Sequence, residues 1–154
     1  MEPSSLQTDP GLESLRQHRA ELRESMGALE QALAAPAADL KGFWTERVNV
    51  ALVELSADIR EHINITEGPD GLYPGLLTTA PRLSNSVASL TREHVEIMAM
   101  ADGLLARMGE PIVTTDVEEI RDLAIALLVK LSRHRQRGAD LVYEAYQTDI
   151  GGET

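Results

Sequence analysis

Four times along this chain the apolar residues advance by alternate steps of three and four, the period at which one face of a helix keeps meeting a neighbour. The first stripe reads Leu12, Leu15, Leu22, Met26, Leu29, Leu33, and the second Leu40, Trp44, Val48, Ala51, Leu55, Ile59. The third is Leu83, Val87, Leu90, Ile97, Ala101, Leu104, Met108, and the fourth Ile120, Ala124, Leu127, Leu131, Leu141, Ala145. No convincing strand pattern competes with them. The spacing predicts an all-α chain folded as an antiparallel up-down-up-down four-helix bundle, with shallow crossing angles and side chains meeting in layers.

The breaks between stripes have recognisable chemistry. A first helix is expected from after Pro10 to about Ala34, where Ala35-Pro36 interrupts it, since proline disfavours helix at the residue before. Asp39 suits the N-cap of a second helix from Leu40 to about Ile65. Gly68 to Thr79 holds three glycines and two prolines and reads as a loop closing one end. Pro81 fits the first turn of the third helix, with Thr78 or Thr79 near its cap. Gly109 to Thr114 reads as a turn, and Thr115-Asp116-Val117-Glu118 has the form of a capping box opening the fourth helix. One domain, residues 11–147, is expected between a disordered N-terminal tail, 1–10, and a C-terminal tail, 148–154; 154 residues suit a single core.

Charge and composition narrow the function. A formal charge of −11 argues against general nucleic-acid binding, which needs a basic face. Lys130, Arg133, Arg135 and Arg137 crowd round His134 and read as a solvated face balancing acids on neighbouring helices. No apolar run approaches a membrane span, and Met1 to Pro10 lacks the basic start and apolar middle of a signal peptide, so a cytoplasmic location is expected. With no cysteine, disulfides, thiolate zinc sites, iron–sulfur clusters and cysteine nucleophiles all fall away. No Gly-x-Ser-x-Gly turn, phosphate loop or dinucleotide fingerprint is present. Any metal must bind nitrogen and oxygen.

The only four histidines, His18, His62, His94 and His134, each occupy a position on one of the four stripes. A histidine falls on a seam position with a chance of about 2/7, so four of four is on the order of 1%. Their levels agree for one pair: His94 lies 13 residues after Pro81 and His134 lies 13 before Gln147. For the other pair, 16 residues separate His18 from Ala34 but 25 separate Ala37 from His62. That mismatch is roughly 13 Å of helix, over half of it removed by starting the second helix near Gly42. Neutral imidazole suits zinc, copper, nickel and iron, with carboxylates completing such sites in bundle cores.

The order of these residues resembles the hemerythrin-like (HHE cation-binding) family: a histidine on helix one, a histidine with a glutamate soon after it before Leu-Tyr-Pro, a Glu-His pair, and a last histidine. The similarity covers about Leu12 to Ala145. It implies a four-helix bundle holding a non-haem di-iron centre that binds dioxygen or reacts with peroxide or nitric oxide. By resemblance, His18, His62, His94 and His134 fall on ligand positions and Glu67 on the bridging carboxylate. Two departures stand out. Thr66 holds the place one turn after His62, so Glu67 sits one residue late and ligates only where the helix ends or bulges. Gly138 stands where the family has a carboxylate one turn after the last histidine. Replacement anions in reach are Asp58, Glu21, a phenolate from Tyr73 or Tyr143, and exogenous oxo or hydroxo groups; mononuclear iron or another divalent metal also fits the ligand set. Glu61 and Glu93, each just before a histidine, read as solvated or as partners of an imidazole N–H. Gly138 marks either a close helix contact or space for a small ligand. Trp44 and Phe43 read as core anchors, and Met26, Met98, Met100 and Met108 as gap-fillers.

Three functions follow: a sensor, scavenger or carrier of dioxygen or a related small molecule, an oxidoreductase consuming peroxide or nitric oxide, or a metal-free interaction or regulatory module. The sequence leaves oligomeric state and redox partner open.

Overall fold

A computed structural model describes residues 10–37 and 41–152. The expected cap at Asp39, nearly all of the expected N-terminal tail and the final two residues lie outside them. Five helices follow in order: α1 (Pro10–Ala34), α2 (Lys41–Glu67), α3 (Leu72–Thr79), α4 (Ser84–Met108) and α5 (Val117–Gly152). There is no strand among the described residues, and no helix is long and apolar enough to cross a membrane. The four long helices carry the four stripes, and α5 runs past Gln147, where the sequence pattern predicted its end.

Contacts along the helices set their order. On α1 and α2, His18 stacks on His62 while Ser25 meets Asp58. On α2 and α4, Arg60 pairs with Asp102 and Glu67 with His94. On α4 and α5, Glu93 pairs with His134, Glu96 with Lys130 and Arg107 with Glu119. Each partner number falls as the other rises. Arg121 closes the ring by donating to the Leu33 and Ala35 carbonyls at 2.9 and 3.0 Å, which gives orphan acceptors at the end of α1 a partner. Its guanidinium also lies 5.5 Å from the ring centre of Trp44, tying the start of α2 to α5.

Local chemistry corrects the sequence reading in four places. The expected loop from Gly68 to Thr79 contains α3. Tyr73 buries itself against Leu83, Val87, Leu90, Leu141 and Ala145, with Leu72, Leu76 and Leu77 packed beside it. Pro74 is the third residue of that helix, where an N–H would have no intrahelical partner. Gly68 and Gly71 turn the chain so tightly that a Cβ at either would lie 2.6 Å from a backbone oxygen, of Asn64 and Ile65 respectively. Thr78 and Thr79 do not cap the next helix; they donate back to the carbonyls of Pro74 and Leu76. Pro81 opens a 3₁₀ turn, Pro81–Leu83, and α4 starts after it at Ser84. Ahead of α5 the cap is two residues earlier than Thr115, at a 3₁₀ turn, Thr114–Asp116: Asp116 accepts from the Val113 N–H at 2.9 Å, and its own N–H returns to the Val113 carbonyl at 2.9 Å.

The core falls into two parts. The larger contains Leu22, Leu29, Leu55, Ile59, Ile97, Leu127 and Leu131, and the smaller centres on Tyr73, Leu90 and Leu141. On α4 the sequence passes from Leu90 through His94 to Ile97, and on α5 from Leu131 through His134 to Leu141. The histidines form the layer between the two. Trp44 is buried as expected and Phe43 is not, with 66% of its surface exposed. One residue of helix is about 100°, so both cannot face the same core. Met26 and Met108 are buried, and Met98 and Met100 pack partly against the larger core.

Candidate metal centre

Packing the four seams places all four imidazoles at one level. His18 stacks on His62 with ring centres 5.6 Å apart. His62 meets His94 and His134 edge-on at 5.1 and 5.4 Å, and His94 and His134 lie 4.6 Å apart. The pairing of His18 with His62 agrees with the expected level, helped by α2 starting at Lys41. His18, His94 and His134 are buried and His62 is half-buried.

Three of the rings form a tighter group. One ring nitrogen from each of His62, His94 and His134 lies within 4.8 Å of the other two. Two carboxylates decide which nitrogens are free. His134 Nδ1 donates to Glu93 Oε1 at 2.7 Å, and His94 Nδ1 donates to Glu67 Oε2. A carboxylate only accepts, so in both rings Nδ1 carries a hydrogen, and in the neutral ring the lone pair is then on Nε2. His134 Nε2 lies 3.3 Å from His62 Nε2, and His94 Nε2 is buried without a partner.

Burial favours the neutral form of three of the rings, His18, His62 and His134. Burial, reinforced by the other three histidines and Arg135, pushes the His62 pKa down to about 3. Burial also lowers the pKa of His134, opposed by its hydrogen bond to Glu93, and of His18, opposed by the charges of Asp58, Glu61 and Glu21. The lone pairs therefore stay available at neutral pH. Three imidazoles, two of them oriented by carboxylates, make a donor set that fits a divalent transition metal.

The other predicted residues lie at varying distances from this group. Glu67, expected as a bridge, is the last residue of α2 and is engaged with His94. Thr66, one turn after His62, is buried and donates to the His62 and Ile63 carbonyls at 2.9 and 3.2 Å. Glu93 was underrated by sequence reasoning: it is 7% exposed and holds Arg137 on Oε2 at 2.6 Å as well as His134 on Oε1. Its signal was present, since it lies three residues after Leu90 and four before Ile97. Tyr73 lies flat on His94, ring centres 5.8 Å apart, and burial pushes its phenol up to about 12, so it is a protonated wall rather than a phenolate. Tyr143 is exposed, Glu61 is exposed, and Glu21 accepts from Gln17 on the surface. Asp58 accepts from Ser25 and lies near enough to His18 to act on it electrostatically.

Gly138 resolves toward open space: a Cβ there would meet nothing within 4 Å. It lines a cavity of about 50 Å³ with His62, Thr66, Tyr73 and His134. No protein-family model matches the chain, and searches of curated proteins and of solved structures also give no match.

Proposed function

We propose that this chain is a non-haem metal protein of hemerythrin-like architecture, an antiparallel up-down-up-down four-helix bundle. It holds iron through His62, His94 and His134 and takes a small molecule such as dioxygen, peroxide or nitric oxide from the adjoining cavity, as sensor, scavenger or carrier. One observation carries this reading: carboxylates occupy Nδ1 of His94 and His134, which leaves their Nε2 atoms for a cation beside His62. Bound iron would supply an open coordination position and redox chemistry. The chain's own residues do the remaining work. Glu67 and Glu93 hold the Nδ1 protons and fix ring orientation, as carboxylates behind metal-binding histidines commonly do. Arg137 steadies Glu93. Tyr73, Leu15, Leu22 and Leu72 wall the cavity, and Gly138 keeps it from filling.

A second reading, with two metal ions, is favoured by His18. Its ring is buried, neither nitrogen has a partner, and Asp58, Glu61 and Glu21 lie close enough to act on it electrostatically. Metal content of protein from iron-supplied cells separates the two. One iron per chain, kept in His18→Ala and lost in His134→Ala, supports the three-histidine centre. Two irons, falling to one in His18→Ala, support the pair. No metal, even after anaerobic reconstitution with ferrous iron, overturns both and leaves an interaction module.

A further inference from the structure

In a chain of net charge −11, carboxylates are plentiful, and several cations here are paired with them. Arg60, Arg107, Arg121, Lys130 and Arg137 each pair with an aspartate or glutamate. Arg19, Arg23 and Arg135 have no such partner among the described residues, although they lie near one another. Arg19 and Arg23 are one turn apart on α1, facing Arg135 on α5. Arg135 is half-buried and lies close enough to Arg19 and Arg23 to feel their charges. Packing like charges together without a counterion is unfavourable unless something anionic completes the group.

Their position says what that is. Arg19 and Arg135 line the same cavity as His62, His134 and Gly138. We infer that Arg19 and Arg135, backed by Arg23, bind a small oxyanion at the mouth of the histidine cavity. This rests on the reading of that cavity as the ligand site, and it names the ligand class as anionic. A guanidinium presents a planar fork of N–H donors matched to a planar oxyanion. About 50 Å³ compares with roughly 30 Å³ for one water in the liquid, so the occupant has a few heavy atoms, the size of nitrite or formate. A macromolecular polyanion does not fit an enclosure of this volume.

The test uses the full chain with nitrite as probe, and nitric oxide as its uncharged counterpart. Calorimetric titration of the metal-free protein should show nitrite binding that weakens with added salt. Arg19→Gln and Arg135→Gln should each lower nitrite affinity about tenfold, the scale of a charge-assisted hydrogen bond, and Arg23→Gln only two- to threefold. Arg135→Lys should recover part of the loss, with circular dichroism unchanged throughout. In iron-loaded protein, nitric oxide affinity should stay within about twofold in the same variants. Unchanged nitrite affinity in the Arg19→Gln/Arg135→Gln double variant overturns the inference, as does an equal fall for nitrite and nitric oxide. Arginine-dependent nitrite binding by a chain that never takes up metal would sink the metal centre and leave the anion site standing. Metal uptake without nitrite binding would do the reverse.

Discussion

Glu93 shows how much of the centre depends on a residue that touches no ligand. It holds His134 in one tautomer and is itself held by Arg137, whose side chain is half exposed. Glu93→Ala should lower affinity for ferrous iron or zinc about 10- to 100-fold in competition with a chromophoric chelator. Arg137→Gln should cost less, and equal affinity in wild type and Glu93→Ala would show that the carboxylate does not orient the ring. Gly138 makes the opposite kind of prediction. Its Cβ position is open, so Gly138→Ala should fold as well or gain up to about 1 kcal/mol from helix propensity. Gly138→Leu should fill the cavity and weaken nitric oxide binding while melting temperature is kept. The four histidines were legible because a polar residue on an apolar period is conspicuous. Glu93 was legible only in part: its spacing from Leu90 and Ile97 puts it near the seam, but it sits about 100° around the helix from His94, and its pairing with His134 on α5 is what fixes its role.

At the scale of elements, the long helices were readable and their joints were not. The three-four periodicity of α1, α2, α4 and α5 is fixed by burial, so core positions such as Leu55, Ile97 and Leu127 follow from spacing alone. Residues 72–79 have no such period, and their glycines and prolines favour a loop. What makes α3 a helix is tertiary: Tyr73 has a ready apolar surface on α4 and α5, and burial there outweighs weak local propensity. Leu141→Ala should therefore cost about 2–5 kcal/mol. In hydrogen exchange its loss of protection should appear first at 72–83, ahead of the middle of α2. A uniform loss across all helices would mean that α3 is not held by this smaller core.

For the whole molecule, neutral buried histidines make acid the natural denaturant of the metal-free form. The unfolded His62 takes up a proton near its ordinary pKa of 6.5, whereas the folded one resists until about 3. Between those values the unfolded chain binds more protons, so stability falls as pH drops through that window and is full above it. His18 and His134, lowered in the same direction, add to the slope. Melting temperature of the apoprotein should hold from pH 8 to 7 and decline below about 6.5, and His62→Gln should flatten that decline. A wild-type curve level down to pH 5 would show that the rings are not kept neutral by folding. The histidine layer that parts the two apolar cores has a calorimetric consequence. A polar sheet conducts cooperativity poorly, because few apolar contacts cross it. The apoprotein should absorb heat in a broad or double transition, the end containing Tyr73 and Leu141 melting first. Metal bound across the layer should merge this into one sharp peak, bringing the van't Hoff enthalpy up to the calorimetric one.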